Sequence, residues 1–440
     1  MGPASAPSTC QKPIKTSSLP SAQVRALGVH QVGQVVQFDV PAGTGTISIV
    51  SQASSGVVDS VTYKGEAVDN LVLPTALKTP SGAVLYDIRE ALPTDPATAN
   101  VWSRFNSPVT AIMTLPNTTK ALADFSSGYP AGRWSLTVDD LARECATTPN
   151  CSGGSTSGTY DVTVLLKPVA PSTGTVDLAL YLVTSSLTAA AAMTDAYVQR
   201  FLSTLAILYG RAGLCLGTIT FYDVPSWARM KWATGVDATK TGPCDELDQM
   251  FTLSQPGNTL NFFLVDDLIQ SSTPSGGKVV GIDGAIPGPS SVGGTVHSGA
   301  VVNFADYAKG TAGCTGAPSV AKCAPDFTAY ITAHEGGHWM GLYHPTEGVG
   351  AIYDPIADTA KCTCSTACGV MNTTCCYDPT KALPTQCADK PVLLDDKTCS
   401  RGTTTCGGAD LLMFYTIYAN AVGNLSAQEA AVIRANPVVR

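Results

Sequence analysis

The sequence is poor in charged side chains and has no concentration of basic ones. Only 14% of its 440 residues are Asp, Glu, Lys or Arg, and the formal net charge is −8 at pH 7. No cluster of Lys or Arg stands out from a background rich in Ser, Thr and Gly. Because a phosphate-binding surface needs such a cluster, nucleic acid is not expected as a partner.

Long apolar segments are also absent. The sequence has no apolar run of about 18 residues, the length that a membrane-spanning helix requires, and residues 1–30 lack the apolar core of a secretory signal peptide. We therefore expect no membrane span and a chain in its mature form. Residues 1–24, rich in Ser, Pro, Ala and Lys without periodicity, predict a flexible leader.

Cysteine, in contrast, is abundant, with 15 residues. Few of them show the CxxC spacing of structural zinc modules, so disulfides formed in an oxidising compartment explain them better. Near-neighbour spacing predicts the bridges Cys145–Cys151, Cys215–Cys244 and Cys314–Cys323. The cysteines between Cys362 and Cys406 are expected to pair among themselves in an order that the sequence leaves open, and Cys10 is left over. The expected location is secreted or at the cell surface.

A length of 440 residues favours two domains. Over residues 25–170, short segments with partial period-two alternation are bounded by Gly, Pro and Ser, which is typical of an all-β sandwich. The predicted strands include residues 34–40, 46–50, 109–113 and 160–164. Residues 130–138 and 158–160 resemble the last strands of jelly-roll domains that accompany secreted proteases. We expect an accessory domain without catalytic residues.

A second pattern begins after residues 167–174, whose composition predicts a linker. Residues 171–440 are predicted to form an α+β domain, with an upper half over 171–344 and a cysteine-rich, loop-built lower half over 345–440. The predicted strands are residues 176–183, 218–222, 260–265 and 300–304. A helix with apolar residues at helical spacing is predicted around Val198 to Leu208.

One short segment, residues 334–344, contains three of the chain's five histidines. On a helix, residues four apart share a face, so His334 and His338 can direct one nitrogen each at the same ion, with Glu335 beside them. Gly341 lets the chain turn, and His344 then completes a three-histidine set that leaves a fourth position for water, as in catalytic zinc sites. The spacing predicts zinc as cofactor and Glu335 as general base.

Gly336 and Gly337 interrupt the same predicted helix. Each costs a helix interior about 1 kcal/mol relative to Ala, so local stability alone would not select them. We expect the close approach of backbone or substrate to explain both glycines.

The motif HExxHxxGxxH, followed downstream by a methionine, resembles that of the metzincin clan of zinc endopeptidases. Residues 409–415 look like the clan's Met-turn, which implies that Met413 forms an apolar floor under the histidines and that Tyr415 can reach the metal and stabilise an oxyanion. With residues 354–359 and the cysteine-rich stretch, the segment is most similar to the pappalysin family, including its bacterial secreted members. The likeness over about residues 326–415 implies a bacterial, secreted zinc endopeptidase that cleaves protein or peptide substrates. Together with the β-sandwich predicted from alternation, we expect a multidomain chain in which the sandwich precedes a metzincin-like domain.

Other hypotheses stay open. The chain could be a non-catalytic metal-containing surface-binding or adhesion protein, although an intact Glu335 argues against this. Pro345 follows the third histidine where pappalysins usually have Thr, which leaves another metzincin family open. Asp354, Asp358 and Thr359 offer oxygen ligands of the kind that calcium takes, and pappalysin-like enzymes can bind calcium near this region, but a solvated loop is the commoner explanation.

Smaller predictions concern the surroundings of the motif. Asp326 can cap the helix that carries the histidines, and Ser426 with Glu429 forms the capping box of a closing helix. Residues 300–304 are either the sheet edge that aligns an extended peptide or an ordinary internal strand. His297 is expected at the surface and not as a ligand.

Overall fold

In the computed structural model, the described residues are mostly β-strands with few helices. They are residues 21–57, 60–88, 93, 95–103, 109–145, 149–153, 158–239, 245–269, 279–316, 322–347, 353–360, 408, 410–415, 417 and 422–440. Among them, no helix is both long and apolar enough to cross a membrane.

The N-terminal part is rich in β-strands, as predicted. Its strands are β1 Gln23–Gln31, β2 Val35–Val40, β3 Thr44–Ser55, β4 Ser60–Tyr63, β5 Glu66–Asp69, β6 Val72–Lys78, β7 Val84–Asp87, β8 Thr110–Leu115, β9 Gly132–Asp140, β10 Cys151–Ser152 and β11 Thr159–Pro168. The helices of this part are a 3-10 turn at Pro96–Thr98, α1 Thr119–Asp124 and α2 Leu141–Cys145. Each strand predicted in this part matches an observed strand to within a few residues.

Two four-stranded antiparallel sheets form this part, in the orders β1-β11-β3-β8 and β2-β9-β6-β7, beside a small sheet β10-β4-β5. In β2, Val36, Phe38 and Val40 are buried while the residues between them are exposed, the alternation of a strand with one face on a core. Phe38 and Trp134 meet Val162 from the other sheet in that core. The hydrophobic alternation therefore places the core between the two sheets.

The C-terminal part combines a parallel sheet with helices. Its strands are β12 Gly174–Leu182, β13 Leu214–Asp223, β14 Val236–Asp237, β15 Leu260–Val265, β16 Leu268–Ile269, β17 Gly281–Asp283 and β18 Ala300–Asn303. Its helices are α3 Ala189–Ala192, α4 Ala196–Gly210, α5 Ser226–Lys231, α6 Glu246–Phe251, a 3-10 helix at Ala305–Lys309, α7 Ala324–Trp339 and α8 Ala427–Ala435.

The five-stranded sheet of this part has the order β13-β12-β15-β18-β17. Its strands are parallel except β17, which runs antiparallel to β18 at the edge. β18, the strand predicted at residues 300–304, therefore lies inside the sheet. The internal-strand alternative is confirmed, the peptide-aligning edge at these residues is wrong, and the edge strand on this side is β17.

Helices α4 and α7 pack on one face of this sheet. Phe201 and Leu205 of α4 share a core with Phe262 of β15, and α7 is buried along its length. The prediction that Asp326 caps α7 is wrong: Cys323 is the N-cap residue, and Asp326 lies inside the first turn. Its buried carboxylate accepts hydrogen bonds from Arg200 at 2.7 and 2.9 Å. Asp326 therefore joins α7 to α4, because the two partners of the ion pair lie on different helices.

The closing helix α8 has the predicted capping box, with the side chains of Ser426 and Glu429 each bonded to the other's backbone N–H. At its C-terminal end, α8 meets the N-terminal part. Thr46 donates its hydroxyl to the carbonyl of Ala435 at 2.7 Å. Lys167 donates to two further carbonyls at this end, so a residue of the predicted linker is buried at the end of β11. The predicted domain boundaries stay predictions.

The disulfides Cys145–Cys151 and Cys314–Cys323 are confirmed. Cys215 is also disulfide-bonded, but its predicted partner Cys244 lies outside the described residues. So do Cys10, most of the predicted leader, and the cluster from Cys362 to Cys406. Disulfides are compatible with an extracellular location.

Candidate metal centre

The three histidines of the motif come from the end of α7 and the turn that follows it. His334 and His338 lie one turn apart on α7 and are 5% and 6% exposed. Gly341 adopts φ +102, a conformation that favours glycine, and the backbone N–H of Leu342 donates back to the carbonyl of Gly337 at 2.9 Å. This reversal brings His344 to the other two histidines.

The Nε2 atoms of the three histidines converge. The Nε2 of His344 lies 3.2 Å from that of His334 and 3.1 Å from that of His338. Two nitrogens bound tetrahedrally to zinc at 2.0–2.1 Å would be about 3.3 Å apart, so the observed spacing fits one ion between the rings. Among the described residues, these histidines form a group that could hold a metal ion.

The second nitrogen of each ring faces an acceptor. The Nδ1 of His334 lies 2.8 Å from the carbonyl oxygen of Leu412, and that of His338 lies 2.8 Å from the carbonyl oxygen of Leu342. The Nδ1 of His344 lies 2.9 Å from a carboxylate oxygen of Glu347. Each acceptor selects the tautomer that carries its proton on Nδ1, which leaves Nε2 with a lone pair for a metal.

Burial keeps two of the histidines neutral. Desolvation, reinforced by His344, lowers the pKa of His334 to about 3 and that of His338 well below its usual range. Neutral imidazole is the form that binds metal. These two rings therefore present unprotonated Nε2 atoms at neutral pH.

Glu335 lies against the edge strand of the sheet. A Cβ atom on Gly281 of β17 would lie 2.4 Å from Oε1 of Glu335, so only a glycine fits there. Burial raises the pKa of Glu335 to about 8, and burial together with Glu335 raises the pKa of Asp283 in β17 well above its usual range. A cation at the histidines would oppose this effect on Glu335.

The two glycines of α7 are explained by side chains from distant parts of the chain. A Cβ atom on Gly336 would lie 2.0 Å from the hydroxyl of Tyr209, and one on Gly337 would lie 2.4 Å from Sδ of Met413. Close approach was expected, but from backbone or substrate. The approaching groups are side chains of α4 and of the predicted Met-turn.

The predicted Met-turn lies beneath the histidines. Leu412 and Met413 are fully buried, and the Leu412 carbonyl is the acceptor for His334. Tyr415 lies beside the third histidine, with 6.4 Å between the ring centroids of His344 and Tyr415. The structure thus brings together all the predicted site residues, while their catalytic roles stay predictions.

Other candidate residues have different surroundings. His297, expected at the surface, is half-buried: both ring nitrogens are buried, and burial lowers its pKa to about 4. Asp354 accepts hydrogen bonds from the Thr359 hydroxyl at 2.9 and 3.0 Å, and Asp358 accepts one from the backbone N–H of Gln428. These oxygens therefore stabilise a loop and the first turn of α8, and calcium there stays a prediction.

Three neighbours of the predicted site residues were not predicted from the sequence: Glu347, Leu342 and Asp283. Glu347 follows His344 by three residues, a spacing that could have marked it as a partner of the third imidazole. Leu342 acts through its carbonyl group, which residue type does not reveal. Asp283 is 52 residues from Glu335, and its proximity depends on how β17 pairs with β18.

No protein-family model matches the chain, and no curated protein matches it. Likenesses to solved structures are weak, as three of them illustrate. A family two carbohydrate esterase from Cellvibrio japonicus is 11% identical over 56% of this chain and 68% of its own, with a TM-score of 0.13. A Bacillus subtilis protein is 10% identical over 60% of this chain and 58% of its own, with a TM-score of 0.14. The catalytic domain of a GH87 alpha-1,3-glucanase is 12% identical over 54% of this chain and 37% of its own, with a TM-score of 0.15. Likenesses this weak carry no argument about fold or function.

Proposed function

We propose that the chain is a secreted zinc-dependent endopeptidase with a pappalysin-like metzincin domain that follows a jelly-roll-like β-sandwich. The observation that carries the proposal is the convergence of three Nε2 atoms whose rings are oriented through Nδ1. Three imidazoles in a tetrahedral arrangement with one position left over suit zinc. Glu335, next to His334 on the same helix, supplies the acid–base group.

A zinc ion held by His334, His338 and His344 would polarise a scissile carbonyl and make water acidic enough to react near neutral pH. Glu335 can take the proton of the attacking water and pass it to the leaving amine nitrogen. Tyr415, whose ring lies beside that of His344, would donate a hydrogen bond to the carbonyl oxygen as it gains negative charge. Hydrolysis by these residues requires no covalent intermediate.

The edge strand supports a peptide as substrate. One side of β17 pairs with β18, and no other described strand pairs with its second side. An extended peptide can add to such an edge through main-chain hydrogen bonds. Because Gly281 of β17 touches Glu335, a peptide at this edge would pass the acid–base group.

The function is tested with Glu335→Gln, which removes proton transfer while leaving the histidines in place. Peptide-library cleavage should fall by on the order of 10² or more, the scale of acid–base contributions. Zinc content, measured by elemental analysis, should not change.

The matched control is Glu246→Gln, a glutamate that accepts a hydrogen bond from the backbone N–H of Asp237. Its helix, α6, packs in a different core cluster from α7. Glu246→Gln should cleave at the parental rate. Cleavage at the parental rate by Glu335→Gln would contradict the proposed mechanism. A zinc-loaded parent that cleaves no peptide would favour the alternative, a metal-containing binding or adhesion protein.

A further inference from the structure

A loop of the N-terminal part reaches the metal centre. Trp102 packs with Ile286 and Tyr343 in one apolar cluster in which all three are at least nine-tenths buried. Tyr343 immediately precedes His344, and its hydroxyl donates to the carbonyl of Ile286 at 3.4 Å. Trp102 therefore shares one buried cluster with the residue next to the third histidine and with the loop that follows the edge strand β17.

The main chain of Trp102 is itself held in place. The buried side chain of Asn117 accepts a hydrogen bond from the backbone N–H of Trp102 at 3.1 Å and donates one to its carbonyl. The hydroxyl of Thr118 donates to the carbonyl of Ala99 at 2.7 Å. Satisfying both main-chain groups of one residue by one buried amide fixes that residue. The main chain that carries the indole is therefore held in place.

The loop after β17 is also packed on the N-terminal part. Ala285 lies in a cluster with Val50, Ile112 and Leu165, which come from three neighbouring strands of one sheet. Further along the loop, the backbone N–H of Gly288 donates to the carbonyl of Trp339, the last residue of α7, at 2.9 Å. The N-terminal sheet thus supports a loop that is bonded to the histidine helix.

The third histidine depends on packing more than the first two do. His334 and His338 lie on a buried helix, whereas His344 follows the turn at Gly341. The acceptor for its Nδ1, Glu347, has a side chain that is 36% exposed. A half-exposed carboxylate restrains a ring less firmly than buried packing does. The cluster of Trp102, Ile286 and Tyr343 supplies buried packing at the adjacent residue.

We propose that Trp102 is a positioning residue for His344, so that the N-terminal part completes the metal centre through Tyr343. This inference rests on the proposed metal site. Outer contacts that orient a metal ligand typically change metal affinity by 10- to 100-fold. Truncating the indole should therefore weaken metal binding without touching any ligand.

The test uses the full chain with Trp102→Ala, Trp102→Leu and Trp102→Phe. Zinc affinity is measured by competition with a chelator, and the geometry at the ion by the visible spectrum of the cobalt-substituted protein. We expect Trp102→Ala to lose on the order of tenfold in affinity, with an altered cobalt spectrum. Trp102→Phe, which keeps an aromatic ring in the cluster with Tyr343, should recover most of the affinity. Trp102→Leu, with a smaller apolar contact, should lie between the two and serves if the alanine variant does not fold.

The matched control is Phe125→Ala, which truncates an aromatic of the same N-terminal part that stacks on Tyr129. It should leave affinity and spectrum at parental values. Parental affinity and spectrum in Trp102→Ala, or in Trp102→Leu if that variant alone folds, would overturn the inference. A parent that takes up no metal refutes both proposals. A parent that binds metal without cleaving peptides refutes the peptidase alone, because the affinity test of Trp102 still decides this inference.

Discussion

The lack of space beside the histidines explains two glycines that are unfavourable in a helix. Gly336 and Gly337 lie in the last turn of α7, where the hydroxyl of Tyr209 and the sulfur of Met413 leave no room for a Cβ atom. The sequence predicts that something approaches closely, because two glycines weaken a helix. It does not predict what approaches, since the two partners are distant in the chain and meet α7 only after folding.

We predict coupling between Gly336 and Tyr209. Gly336→Ala should destabilise the protein by about 1–3 kcal/mol, because the new methyl group overlaps the phenol hydroxyl. Tyr209→Phe removes that buried hydroxyl, which has no hydrogen-bond partner among the described residues, so it should be neutral or stabilising. The double variant should therefore be more stable than the sum of the two changes by about 0.5–3 kcal/mol, measured by urea unfolding.

The control for this cycle replaces Gly336→Ala with Gly337→Ala. Its new methyl group meets Met413 and not Tyr209, so Gly337→Ala and Tyr209→Phe should be nearly additive. Additive behaviour of Gly336→Ala with Tyr209→Phe would show that the two positions do not compete for the same space.

At the scale of elements, the local sequence pattern predicts where a strand or helix forms, but not which other elements it packs against. Residues 300–304 have the apolar run of a strand, and the structure confirms one there as β18. Its internal position depends on β17, three residues that pair with it from the outside and show no strand pattern of their own. Asp326 does lie near the start of α7, as predicted, but it does not cap the helix. It pairs with Arg200, which the local sequence could not indicate because Arg200 lies on another helix.

Lys167 joins two elements and should make their contact sensitive to pH. Its ammonium group donates to the carbonyls of Arg434 and Asn436 at the end of α8. Burial, reinforced by the charge of Arg434, lowers the pKa of Lys167 from 10.5 to about 7. Between these two values the unfolded chain binds more protons at this site than the folded chain does. The free energy of unfolding that Lys167 contributes should therefore rise with pH across this window.

We expect Lys167→Met to remove this pH dependence and to leave two carbonyls without their donor, at a cost of about 1–3 kcal/mol. Chemical unfolding at about pH 7 and about pH 9.5 should show that parent and variant differ more at the higher pH. Lys309→Met, at an exposed lysine paired with Asp306, is the control and should show no such change. An equal difference at both pH values would contradict the lowered pKa.

At the scale of the whole molecule, the β-rich part is attached to the metal centre at several points. Apolar clusters join it to Ala285 and Tyr343, and Thr46 holds the end of α8. The sequence predicts the strands of this part but not its contacts with the C-terminal part. Apolar residues on the outer face of a sheet form the same pattern whether solvent or another domain covers them. The accessory role inferred from the absence of catalytic motifs overlooks contacts such as that of Trp102.

Metal removal should destabilise the whole molecule. The three histidines lie on the buried helix α7 and the turn behind it, so a bound ion would be held by the folded state and not by the unfolded chain. Zinc at 1,000 times its dissociation constant should add about 4 kcal/mol to the free energy of unfolding. Thermal unfolding with and without a chelator measures this difference. It should largely disappear in a His334→Ala/His338→Ala variant, and persistence there would place the stabilising metal elsewhere.

The most direct test is anomalous diffraction at the zinc edge from crystals of the zinc-loaded protein. We expect one dominant peak about 2.0–2.1 Å from the Nε2 atoms of His334, His338 and His344. A zinc peak at other residues, or no peak at these histidines after reconstitution, would contradict this expectation.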